Sequence, residues 1–159
     1  MNRIKLLLLI LVSCSQFQTT FAQLPSLPDT DQEAPLNRAV NISREALVTA
    51  FRRMNAEDIA TIRMLEGGEF NVNIRHLENI TPENMRLLTH ADIIDVWIVQ
   101  EGSGVLITGG EVVGDVHQGG VERFISVGDM VYIPAGLPHG IKEASAITWF
   151  NIRFPEHRN

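Results

Sequence analysis

The stretch Ile133-Pro134-Ala135-Gly136-Leu137-Pro138-His139-Gly140 packs two prolines, two glycines and a histidine into eight residues. It follows directly on an apolar run, Met130-Val131-Tyr132-Ile133. Pro134 cannot donate to a ladder and so ends that strand. Gly136 tolerates the positive φ that turns the chain. Pro138 fixes the approach, which leaves His139 to open the next strand. A histidine framed this way loses little rotational freedom when it becomes a ligand, which is preorganisation. Just upstream, Gly128-Asp129 suits a tight turn into the apolar run.

Outward from this turn the chain reads as short strands and tight turns. The runs IATIRML and FNVNIRHL flank Glu66-Gly67-Gly68-Glu69, a hairpin signal. DVWIV and VLIT flank a turn expected over Gln100-Glu101-Gly102-Ser103-Gly104. Further turns fall at Gly109-Gly110 and Gly119-Gly120, and VERFISV, MVYI and ITWFNIRF complete about seven or eight strands. Regular short strands with glycine turns imply an all-β antiparallel sandwich or barrel. One helix precedes them, over 43–56: Ser43 can cap it, and Leu47, Val48 and Phe51 share a face.

The chain has 159 residues, enough for one domain with a real core. Its formal charge of −6 argues against a nucleic-acid partner, which wants a basic face. Arg3 and Lys5 precede the apolar run Leu6 to Val12, and a polar stretch ends at Thr20-Phe21-Ala22. This order describes a signal peptide over 1–22, too short in its apolar part for the ~20 residues of a spanning helix. The protein is therefore expected to be exported, periplasmic or secreted. Leu11-Val12-Ser13-Cys14 also resembles the lipobox of bacterial lipoproteins, so lipidation of Cys14 is the alternative, and the only route here to a membrane. Residues 23–42, rich in proline and acid, read as an exposed lead-in. The barrel domain is then expected over 57–156. Cys14 is the only cysteine, which excludes an internal disulfide and a thiolate metal cluster.

Gly128, Pro134, Gly136 and His139 together resemble the second motif of the cupin superfamily. That resemblance covers roughly Ile59 to Phe154. It implies a double-stranded β-helix, or jelly-roll, barrel, with His139 at the place of a metal-ligating histidine. The family's first motif has two histidines one residue apart, then a glutamate, then a glycine. Counting back from Gly102 puts Asp95 at the glutamate position, His90 at the second histidine and Leu88 at the first. The stretch Thr89 to Gly110 is also similar to a group of exported single-domain cupins. The resemblance further implies a homodimer.

His90, Asp95 and His139 form a set of two histidines and one carboxylate. Such a set suits Fe(II), Mn(II), Ni(II) or Zn(II), with positions left for water or substrate. Asp92, two residues from His90, is the reserve ligand. His76, on a face with Val72 and Ile74, is a candidate to replace the missing first ligand. If Asp95 is too short to reach a metal, it would orient His90 instead. Asp95, Trp97 and Val99 share one strand face. Trp97, Tyr132 and Trp149 are expected to line the pocket. In the last strand, Trp149, Asn151 and Arg153 oppose Phe150, Ile152 and Phe154. The second, more apolar face is the expected core face; the first would let Arg153 grip an anion. His117 and His157 read as solvated.

No nucleophile elbow, phosphate loop or dinucleotide fingerprint is present. Two readings remain. One is a metal-dependent enzyme of oxygenase or isomerase type acting on a small polar molecule. The other is a non-catalytic small-molecule-binding barrel whose metal site is reduced or absent.

Overall fold

The computed structural model describes residue 34 and residues 37–67, 70–113 and 116–156. The expected signal peptide, Cys14, most of the expected lead-in and His157 lie outside the described residues. One helix, α1 (Arg44–Glu57), precedes eight strands: β1 (Thr61–Gly67), β2 (Phe70–Ile80), β3 (Ile93–Thr108), β4 (Glu111–Val113), β5 (Val116–Gln118), β6 (Val121–Ser126), β7 (Met130–Ile133) and β8 (His139–Pro155). No described helix is long and apolar enough to cross a membrane.

Every strand pairing among the described residues is antiparallel. The main sheet runs β1-β2-β8-β3-β6, with β7 also on β3 and with β4-β5 as a separate hairpin. The long strands β3 and β8 lie along each other from Ile93↔Pro155 to Thr108↔His139. The first half of β3 carries β7 on its other edge, and its second half carries β6. Each long strand thus serves two flanks, and the sheet rolls around an inner core as an antiparallel jelly roll of the double-stranded β-helix type.

The glycine stretch at residues 100–104 is not a hairpin turn. It lies inside β3, where register shifts bend the strand without ending it. Gly102 sits there at φ +72°, and a Cβ at that position would lie 2.1 Å from the Ala146 carbonyl oxygen. Glycine signals a turn and a bulge alike; the partner strand decides between them.

Helix α1 starts at a serine cap, with Ser43 Oγ accepting from Ala46 N at 3.2 Å. Its buried stripe is Ala50, Phe51 and Met54, joined by a partly buried Leu47, so the face is turned from the expected Leu47-Val48-Phe51 set. This stripe closes an outer core with Ile62, Met64 and Ile74. The inner core is separate and includes Trp97, Val99, Leu106, Ile133, Ile147 and Trp149.

Two apolar destinations reverse the expected facing of the last strand. Trp149 and Asn151 are buried on the inner side, and Arg153 follows them there. Phe150 instead meets the helix, its ring centroid 6.0 Å from that of Phe51. Phe154 stands partly exposed. The more apolar face of β8 therefore serves the outer core, and the more polar face lines the barrel.

Candidate functional site

The turn that opens β8 is tied to the segment before β3 by the backbone. Leu88 N donates to His139 O and His139 N donates to Leu88 O, both at 2.9 Å. Gly136, at φ +78°, donates its N–H to His90 O at 2.7 Å. His90 and His139 are thereby brought together although 49 positions separate them in the chain. Their ring centroids are 5.6 Å apart. From the first half of β3, Asp95 enters between them, fully buried.

Ligand atoms of His90, Asp95 and His139 all lie within 4.8 Å of one another. Asp95 Oδ2 stands 3.9 Å from His90 Nε2 and 3.8 Å from His139 Nε2. His139 Nδ1 bonds the Leu137 carbonyl at 2.8 Å, so that nitrogen carries the proton and, in the neutral ring, Nε2 presents a lone pair. Arg153 Nη2 donates to His90 Nε2 at 2.8 Å, which fixes that atom as an acceptor too. Burial first, then the charge of Arg153, hold His90 below its usual pKa; Asp95 opposes them, and His139 and Arg75 add to the lowering. Neither Asp95 Oδ2 nor His139 Nε2 has a hydrogen-bond partner among the described residues, though both are buried. Three lone pairs thus converge with no donor between the two most buried of them. That arrangement fits a cation of the divalent type.

Arg153 is the residue whose role in this group was hidden in the sequence. Its Nε donates to Asp95 Oδ1 at 2.7 Å while Nη2 holds His90. It takes Oδ1 and leaves Oδ2, the oxygen paired with both histidine nitrogens.

The remaining candidates fall elsewhere. Asp92 is exposed and outside the ligand group. His76 is buried but does not join the group: Nδ1 bonds Thr148 Oγ1 at 2.8 Å and Nε2 bonds Glu78 Oε1 at 2.9 Å, so both nitrogens are used. Tyr132 does not line the barrel. Strand alternation buries its neighbour Ile133 and turns Tyr132 outward, 59% exposed. His117 is half-buried in β5 rather than solvated, bonded to the Gly109 carbonyl at 3.0 Å.

Trp97 and Trp149 do line the barrel cavity, with ring centroids 4.8 Å apart. This cavity, about 280 Å³, is also lined by Arg75, Leu88, His139, Asn151 and Arg153. Five of its lining residues belong to three cross-strand rows over β2, β8 and β3: Asn71–Arg153–Asp95, then Asn73–Asn151–Trp97, then Arg75–Trp149–Val99. Sequence reading missed Arg75. The signal was the polar alternation of Asn71, Asn73 and Arg75 against the apolar Val72 and Ile74.

No family model matches the chain, and no curated protein matches it. Solved structures do. The Bacillus halodurans protein BH2720 is 17% identical, with a TM-score of 0.55 over 82% of this chain and 89% of that one. The iron(II) form of HppE is 13% identical, with a TM-score of 0.51 over 59% of this chain and 50% of that one. A Klebsiella pneumoniae protein with a double-stranded β-helix domain is 17% identical, with a TM-score of 0.45 over 62% of this chain and 77% of that one. At these identities the likeness is one of fold. The chain has a cupin-like, double-stranded β-helix fold, with a His-Asp-His group of metal-ligating type inside it.

Proposed function

We propose that this chain is an exported cupin whose barrel holds a divalent metal at His90, Asp95 and His139 and binds a small polar molecule beside it. One observation carries the reading: two buried acceptors, Asp95 Oδ2 and His139 Nε2, face each other at 3.8 Å without a donor. A bound metal would supply Lewis acidity or an activated oxygen ligand to the molecule in the cavity. The chain's own residues orient that arrangement. The Leu137 carbonyl fixes the tautomer of His139, and Arg153 holds the carboxylate of Asp95 through its other oxygen. Iron(II) HppE, which shares the fold, is in keeping with a divalent ion here.

A second reading has its own observation. Arg153 already places a positive charge against both Asp95 and His90. A metal-free barrel that binds its ligand through that guanidinium needs no further cation.

Elemental analysis of the purified protein separates the two. The metal reading expects about one equivalent of a divalent metal, lost in both His90→Ala and His139→Ala. Stoichiometric metal that survives both substitutions would remove this site. Protein that takes up no metal from Fe(II), Mn(II), Ni(II) or Zn(II) would leave the metal-free reading.

A further inference from the structure

We propose that the barrel cavity takes a small organic acid, its oxyanion held by Arg75 and Arg153 and its short apolar body lying against Trp97, Trp149 and Leu77. The proposal deepens the reading above and rests on the cavity being a small-molecule site. At about 280 Å³ the space lies at the low end of such sites.

Charge is the first argument. The cavity is lined by Arg75, Arg86 and Arg153 and by no carboxylate, in a chain whose net charge is −6. General basicity therefore does not account for the arginines. Asp95 is the acid beside them, and Arg153 already engages it. Arg75 is half-buried; among the described residues its guanidinium bonds Thr61 Oγ1 at 2.5 Å and forms no ion pair. Burial, and then repulsion from Arg153, draw its pKa below the usual guanidinium value, and the more distant charge of Asp95 offsets them only in part. A guanidinium withdrawn from water with no carboxylate in direct contact is costly, and an incoming anion relieves that cost.

Unpaired donors on the lining are the second argument, and they stand beside two acceptors unpaired among the described residues, Asn151 Oδ1 and His139 Nε2. The indole N–H groups of Trp97 and Trp149 are buried and have no acceptor among the described residues. Both rings line the cavity. Guanidinium forks match the two oxygens of a carboxylate or the oxygens of a phosphonate. The third argument is the gradient along β2. Arg75 is followed on the same face by Leu77, and Ile80 and Ile141 add apolar lining to the cavity. An acid with an apolar body matches this order, whereas a bare inorganic anion leaves the apolar end empty.

The chain has two tryptophans, and both line the cavity, so intrinsic tryptophan fluorescence reads its occupancy. The experiment titrates the purified protein with benzoate, hexanoate and phenylphosphonate, with benzamide and hexanamide as neutral counterparts, and with inorganic phosphate. The acids are expected to bind roughly tenfold or more tighter than their amides, and phosphate more weakly than the organic acids. Arg75→Gln is expected to abolish the preference for the acids, and Arg75→Lys to keep part of it. Equal binding of acids and amides would overturn the proposal. So would unchanged acid binding in Arg75→Gln, or phosphate binding as tightly as benzoate. If no compound of either charge changes the fluorescence or the melting temperature, the small-molecule reading itself fails. Metal content, measured on the same samples, reports on the metal half of that reading independently.

Discussion

Leu88 and His139 exchange both of their backbone hydrogen bonds across an isolated antiparallel bridge. Residues paired this way project their side chains to the same side of the ladder, with Cβ atoms about 5 Å apart. Leu88 lines the cavity, as His139 does. The position where the resemblance expects a first histidine is therefore a cross-strand neighbour of the histidine that remains.

Leu88→His should consequently add a ligand to the group. The expected result is divalent metal held on the order of tenfold more tightly than in the wild type. Competition against a fluorescent chelator measures it. An unchanged affinity would show that the bridge does not aim this side chain at the metal.

Arg153→Gln should act in two directions. Asp95 is fully buried, and Arg153 is its hydrogen-bonded cation. Removing that charge strands a buried carboxylate. The guanidinium is one-quarter exposed, so the loss should be about 2–3 kcal/mol, less than a wholly buried pair would give. The same substitution frees His90 Nε2 and removes a competing positive charge, so metal should bind more tightly and recover the lost stability. Urea titrations with and without metal would show this as a larger metal-induced shift in the variant than in the wild type.

His90 gives a pH test. Burial and the charge of Arg153 lower its pKa in the folded chain. The unfolded chain therefore takes up a proton more readily, near the ordinary value of about 6.5. Stability from this residue is present above that value and falls as pH drops from it toward the folded pKa. In metal-free protein, NMR titration of the His90 ring should give a value below the ordinary one. It should move upward in Arg153→Gln, where one cause of the lowering is gone.

Phe51→Ala tests the separation of the two cores. Phe51 is buried under the helix against Phe150. Its truncation should cost about 3 kcal/mol. The proposed metal ligands belong to the inner side of the sheet, so the metal equivalents per chain should not change. A loss of metal in a folded Phe51→Ala protein would mean that the helix supports the site.

The legible parts of this molecule were those fixed by local chemistry. Pro134, Gly136 and Pro138 specify a turn by φ alone, and β8 does begin at His139. Ser43 marks the helix start through its own oxygen. What failed needed knowledge of a partner. Gly102 reads as a turn until Ala146 is seen above it. The facing of Trp149 against Phe150 depends on there being two apolar cores, and alternation within one strand carries no sign of which core each face meets. Arg153 and Asp95 are paired across β8 and β3, 58 residues apart in sequence, so their contact is a product of register. Tyr132 was drawn inward by residue type, yet the four residues of β7 alternate, and Ile133 takes the buried place.

The bridge at Leu88 and the bond from Gly136 to His90 make the two histidines parts of one backbone clasp. Their spacing is set by main-chain hydrogen bonds and not by the swing of either ring. Arg153 stands at the far end of β8 and reaches the clasp only through its side chain. Entry of a cation at His90 would then ask only that the Nη2 end of Arg153 swing off the ring, while Nε keeps Asp95 Oδ1 and the clasp stays still. A metal held between the two histidines would thus need no opening of the barrel.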